Sequence, residues 1–184
     1  MEKPKVRISV RNLVEFILRS GDLDNSRGSS GDKEAMLKGG RLHRKIQRSM
    51  KGNYQAEVSL KRESEYEDVI IQVEGRADGI FTEDGEFWID EIKGTYGNLQ
   101  AMEVPVPVHR AQAMCYGWIY GEKEGLSQIG IQMTYSHLDT EDTRRFREIF
   151  FPWRNLKTGT RNFWMITING FPVRFPGKKN GMHP

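Results

Sequence analysis

Three residues of this sequence could do chemistry together. Asp78 lies in Gly75-Arg76-Ala77-Asp78-Gly79-Ile80, and Glu91 and Lys93 lie in Trp88-Ile89-Asp90-Glu91-Ile92-Lys93, with the turn signal Glu83-Asp84-Gly85 between them. Two strands joined by a tight turn can bring their acids together. Side chains alternate along a strand, so Glu91 and Lys93 share one face while Asp90 and Ile92 point to the other. Phosphodiester hydrolysis uses this mixture. Hard oxygen ligands hold a divalent cation, which polarises the phosphate and acidifies a water, while an amine steadies the attacking hydroxide or the developing charge. The same residues also fit a plainer arrangement, in which Asp78 caps a turn and Glu91 and Lys93 form a solvated edge pair worth little. Spacing alone leaves both readings open.

Such a site needs elements to position it. Tyr54 to Leu60, Val69 to Glu74, Gly79 to Thr82 and Phe87 to Ile92 read as strands, from alternation and from β-branched and aromatic content, with a hairpin at Glu83-Asp84-Gly85. Ahead of them Ile8 to Arg19 repeats apolar residues at Val10, Leu13, Val14 and Ile17, a helical period that Ser9 can cap. Ser20 to Gly31 is a Gly- and Ser-rich loop, and Asp32 to Met50 a second helix that carries His43. Its candidate buried positions are Ala35, Met36, Leu42 and Ile46, and Gly39-Gly40 is a weak point inside it. After Pro105 and Pro107, Val108 to Lys123 resumes helical spacing, and Ser127 to Tyr135 alternates again as a strand. On that third helix His109, Gln112, Tyr116 and Tyr120 fall on one face. The order helix, helix, strands, helix, strand predicts an α/β or α+β domain with one central mixed sheet flanked by helices.

The chain resembles the PD-(D/E)xK nucleases of RecB type, in particular the nuclease domain at the N-terminus of some DinG-like bacterial helicases. The resemblance covers about Ile8 to Phe150. It rests on four ordered blocks: Gly40-Arg41-Leu42-His43, Gly75-Arg76-Ala77-Asp78, Asp90-Glu91-Ile92-Lys93 and Gln112-Ala113-Met114-Cys115-Tyr116. It implies a restriction-endonuclease-like core and a Mg²⁺- or Mn²⁺-dependent DNA nuclease, with His43, Asp78, Glu91 and the Ile92 carbonyl as metal ligands and Lys93 orienting or activating the water. Gln112 and Tyr116 would touch the active site or the DNA backbone, and Tyr120 would be core. Glu57, Arg76 and His109 would stand behind the ligands or contact DNA. Imidazole among carboxylates favours Mn²⁺ over Mg²⁺. The alternative is a domain that has lost catalysis and serves as a nucleic-acid-binding or helicase-docking module.

Composition bounds these readings. With 184 residues, 37% of them hydrophobic and 29% charged, and a mean hydropathy of -0.65, the chain reads as one globular unit with no apolar run long enough for a membrane. The basic start, Met1 to Arg11, lacks the apolar stretch of a secretory signal, so the expected address is cytoplasmic, with no membrane partner. The single cysteine, Cys115, excludes the four-cysteine iron–sulfur cluster that several RecB-type relatives carry. The net charge of +3 is unevenly placed: Phe151 to Pro184 holds six Lys/Arg and no acid, which leaves 22 basic against 25 acidic residues before it, a net of −3. The basic total is therefore no evidence of a DNA-binding face on the body.

That tail also holds four of the seven prolines, where the family continues with an acidic amphipathic helix. We read residues 151–184 as the product of a frameshift near Phe150. Phe163-Trp164-Met165-Ile166, read two bases on, must encode Leu-Asp-Asp whatever the codons. On this expectation the tail is poorly packed and functionally silent, and a helicase domain that would normally follow is missing from the chain. The plainer reading is a genuine basic tail that binds DNA.

Overall fold

The computed structural model of the chain describes residues 3–19, 32–66, 68–150, 163–168 and 171–176. The predicted hairpin is its spine. Strands β3 (Val69–Glu83) and β4 (Glu86–Thr95) pair antiparallel from Glu83↔Glu86 to Gly79↔Asp90. Asp84 and Gly85 both take positive φ, 53° and 83°, as a two-residue turn matched to the twist of its strands requires. Ahead of them come β1 (Lys5–Ser9), α1 (Val10–Arg19), α2 (Asp32–Ser49) and β2 (Gln55–Tyr66). A short 3-10 turn (Leu99–Ala101), α3 (Pro107–Glu124), β5 (Ile129–His137) and β6 (Thr143–Phe150) follow.

β3 is the long organiser of the six-stranded sheet. β2 lies antiparallel along it, β1 runs parallel to its first part at 70–74, and β4 pairs with its last part at 79–83. The sheet continues through β5, parallel to β4, and β6, antiparallel to β5. The parallel β4–β5 pair needs a crossover, and α3 supplies it. Pro107 starts α3, where its missing N–H costs nothing, and Gly125 ends it in the left-handed region at φ 68°. In β5, Ile129 to Ser136 are buried without a break, as befits a strand covered on both faces. α1 and α3 share the main core with Val73, Ala77, Ile89 and Ile131, whereas Leu42 and Ile46 of α2 close on Ile92. Ile92 points away from Glu91 and Lys93, so helices cover both faces. The architecture is the expected mixed α+β class with a central mixed sheet.

Several boundaries differ from the sequence reading. The segment ahead of Ser9 is a strand, and α1 begins at Val10, with Ser9 Oγ accepting the Asn12 amide at 3.1 Å as its cap. Val69 to Glu74 and Gly79 to Thr82 belong to one strand, because Gly75 to Asp78 stay extended between them. β6 was not predicted, since charged residues dominate Thr143–Phe150. In α2, Leu42 and Ile46 are buried, but Met36 is 72% exposed: it lies about 100° round the helix from Ala35 and off the face that carries Leu42. Tail residues 163–168 and 171–176 form a separate antiparallel pair, β7 (Phe163–Ile168) and β8 (Phe171–Pro176). The packing expected of residues 151–184 otherwise lies outside the described residues. Among the described residues no helix is long and apolar enough to cross a membrane.

Candidate functional site

β3 and β4 part at the site. Their ladder ends at Gly79↔Asp90; one step further along the same register Asp78 stands opposite Glu91, and no backbone pair joins the strands there. The Asp78 side chain fills the gap, its Oδ2 accepting the Ile92 amide at 2.7 Å. Asp78 and Glu91 therefore lie on one face at the crotch of a fork. Lys93, two residues on, donates Nζ to Glu91 Oε1 at 2.6 Å. His43 reaches the fork from α2, with Nδ1 at 3.6 Å from Asp78 Oδ1.

A second cluster braces Asp78 from behind. Gln47, one turn after His43, donates Nε2 to the Asp78 carbonyl at 3.0 Å and to Glu57 Oε1 at 2.9 Å. Glu57 stands opposite Asp78 in the β2–β3 register, and theirs is the one rung missing from an otherwise unbroken ladder. Its φ is 58°, left-handed backbone that a glutamate adopts only when its surroundings hold it there. Arg76 Nε pairs with Glu57 Oε2 at 2.6 Å, so Arg76 is here the partner of an acid, although its side chain is 66% exposed.

α3 forms the opposite wall. Tyr116 places its hydroxyl over Gly75, where an added Cβ would stand 2.7 Å from it, and burial together with the Glu91 charge pushes the phenol well above its usual range. Gln112 is buried, and its Oε1 has no hydrogen-bond partner among the described residues. Such an orphan costs free energy unless something outside the chain meets it. His109 Nδ1 lies 3.1 Å from the Tyr135 hydroxyl, which also accepts the Val106 amide at 2.9 Å. If the hydroxyl donates to Nδ1 while it accepts the Val106 amide, Nδ1 carries no proton, as in a neutral imidazole. Burial and the nearby Lys93 and Arg11 agree, pushing the His109 pKa down to about 4. Tyr120 packs on the core against Phe87, as predicted.

Electrostatically the fork is short of positive charge. Burial, and after it the Asp78 charge, push Glu91 up to about 7 against the pull of Lys93. A cation bound there would reverse that shift, and one imidazole, two carboxylates and the Ile92 carbonyl are donors that suit Mg²⁺ or Mn²⁺. The structure gathers these donors in two halves, His43 with Asp78 and Glu91 with Lys93. Among the described residues no three His, Cys, Asp or Glu side chains stand together as a ready-made ligand group.

Sequence reasoning missed Gln47, although its spacing of four from His43 marks the same helix face. It also missed the partners of Asp90. This buried carboxylate accepts from Tyr54, Gln132 and Thr134, and nothing local in the sequence announces it.

No family model matches the chain, and no curated protein matches it. Among solved structures, the crystal structure of SSO0001 is similar with a TM-score of 0.54 and 20% sequence identity, over 77% of this chain. The match spans 65% of the SSO0001 chain and speaks for the fold.

Proposed function

We propose that the fork between β3 and β4 is the active site of a metal-dependent nuclease of the PD-(D/E)xK, RecB-like kind, hydrolysing phosphodiester bonds in DNA at ends or in single strands. The observation that carries the reading is the placement of Asp78, Glu91 and Lys93 on one sheet face where the strands part, with His43 beside Asp78. The donors that would hold Mg²⁺ or Mn²⁺ are His43, Asp78, Glu91 and the Ile92 carbonyl. A divalent ion in such a donor set supplies charge neutralisation at the phosphate and a more acidic water.

The chain's own groups have distinct tasks. Lys93, held at 2.6 Å by Glu91, is positioned to orient a water or to steady the charge that develops during in-line attack. Asp78 ties the two strands through the Ile92 amide while its Oδ1 faces His43. Gln112 Oε1, without a partner among the described residues, and the Tyr116 hydroxyl would be the contacts from α3 to substrate. Arg76, exposed beside the fork, can exchange Glu57 for a phosphate.

One observation favours a second reading, a catalytically silent nucleic-acid-binding or helicase-docking module: Lys93 and Glu91 already satisfy each other. Cleavage of single- and double-stranded DNA with Mn²⁺ or Mg²⁺ separates the two. The nuclease reading expects cleavage by the parent, faster with Mn²⁺, and its loss in Lys93→Ala and Asp78→Ala. Activity surviving both changes would sink it. DNA binding without cleavage by the parent would install the second reading.

A further inference from the structure

Asp90 is fully buried, one residue from Glu91 and on the opposite face of β4. Its Oδ1 accepts from Gln132 Nε2 at 3.0 Å and from Thr134 Oγ1 at 2.7 Å, and its Oδ2 accepts from the Tyr54 hydroxyl at 3.1 Å. The donors come from two sides. Gln132 and Thr134 sit on β5, while Tyr54 enters from the start of β2, on the far side of β3. To arrive there Tyr54 lies across Gly79, where an added Cβ would stand 1.9 Å from its hydroxyl oxygen. Gly79 is the register partner of Asp90 in the last rung before the fork. The carboxylate of β4 thus ties β5 to the residue ahead of β2, across β3, at one level of the sheet.

Cohesion alone does not ask for this arrangement. Burying a carboxylate carries a desolvation cost of several kcal/mol, and well-packed apolar residues often serve as well or better. What the network does that apolar packing would not is fix β4 along its own axis and sideways, since each hydrogen bond has a narrow range of length and angle. Beyond Asp90, among the described residues, the link from β3 to β4 near the fork is the Asp78 carboxylate on the Ile92 amide. Any slip of Asp90 is therefore passed directly to that link.

We propose that Asp90, with Tyr54, Gln132 and Thr134, is a positioning device that sets where β4 leaves β3 and hence the separation of Asp78 from Glu91 and the Ile92 carbonyl. The consequence for metal binding rests on the reading of the fork as a metal site; the positioning itself does not. Gly79, next to Asp78 in the chain, belongs to the device because only a residue without Cβ lets the Tyr54 ring pass.

The test uses Tyr54→Phe, which removes one oxygen and keeps the ring, and Asp90→Asn, both in the full chain. Amide hydrogen exchange without metal reads the fork, with Ile92 as reporter and Ile89, below the fork on the same strand, as reference. The expected result is exchange at Ile92 faster by about ten-fold in Tyr54→Phe, with Ile89 changed less than about two-fold. Mn²⁺ titration should show affinity weaker by about ten-fold or more, the size of effect produced when groups behind metal ligands are altered. Equal acceleration at Ile92 and Ile89 means a general loss of stability and overturns the proposal, as does an unchanged Ile92. If the parent binds no Mn²⁺ but Ile92 responds, the metal reading fails and the positioning role stands. If the parent binds Mn²⁺ and both variants bind it equally well, the positioning role fails and the metal reading stands.

Discussion

Asp90 and Glu91 are neighbours in the chain, both buried, on opposite faces of one strand. Asp90 is met by three neutral donors from two other parts of the fold. Glu91 is met by the Lys93 ammonium and shares its face with a second carboxylate, and burial holds its carboxyl above the usual carboxylate range. Burial by itself therefore says nothing about chemistry. What separates the two is their company: neutral, fixed donors complete Asp90, whereas charged and partly exposed partners leave Glu91 able to exchange them for something else.

The comparison breaks first at Lys93. Lys93→Ala should lower DNA cleavage by about 10²–10³-fold, the cost of removing one group aimed at developing charge, with the circular dichroism spectrum and melting temperature close to the parent's. Cleavage within a few-fold of the parent would make the Glu91–Lys93 pair as purely structural as the Asp90 network. On the other face, Gly79→Ala should cost about 1–3 kcal/mol of stability in a denaturant titration, because the Tyr54 ring must leave its place over the backbone. A neutral result would mean that the ring shifts freely and that Asp90 does not depend on it.

The pH dependence of stability sharpens the contrast. Glu91 is raised from its ordinary 4.5 to about 7, so within that window the folded chain keeps a proton that the unfolded chain releases. Its contribution is fully present below the lower value and is lost as pH rises through the upper one. Melting temperature should therefore fall between about pH 5 and about pH 8, and Glu91→Gln should flatten the fall. Saturating Mn²⁺ should flatten it in the parent as well, by favouring the ionised carboxylate. An equally steep fall in Glu91→Gln would assign the effect to other groups.

The legibility of this molecule follows the range of the interactions. The shared face of Glu91 and Lys93, the turn at Asp84-Gly85 and the mixed sheet were readable, because alternation and turn chemistry act over a few residues. β1 and β6 were not: Lys5–Ser9 is short, and Arg144, Arg145 and Arg147 give β6 a composition set by the charges it presents rather than by a buried face. The split in β3 was a false boundary, since Gly75 and Gly79 look like breaks but serve as passages for Tyr116 and Tyr54. The left-handed Glu57 has no signature either, because glutamate is not a residue that turn chemistry selects. His43 entered the reading through the ordered blocks of the resemblance, and Gln112 through those blocks together with the helical face it shares with His109, Tyr116 and Tyr120. The Asp90 network joins residues 36 to 44 positions apart, and only the register brings them together.

Gln112 gives the smallest effect, and one that tests the logic of both faces. Like Asp90 it is a buried polar group, but its Oε1 has nothing to accept from among the described residues. Replacing an unsatisfied amide with an apolar side chain of similar length removes a desolvation cost and leaves no partner stranded. Gln112→Met should therefore be neutral or stabilising, by up to about 1 kcal/mol in a denaturant titration. If the orphan oxygen waits for substrate or for water held beside it, the same change should slow cleavage by about ten-fold, roughly the worth of one hydrogen bond. A variant both less stable and fully active would show that the amide serves packing, and α3 would then stand on the structural side of the comparison with Asp90.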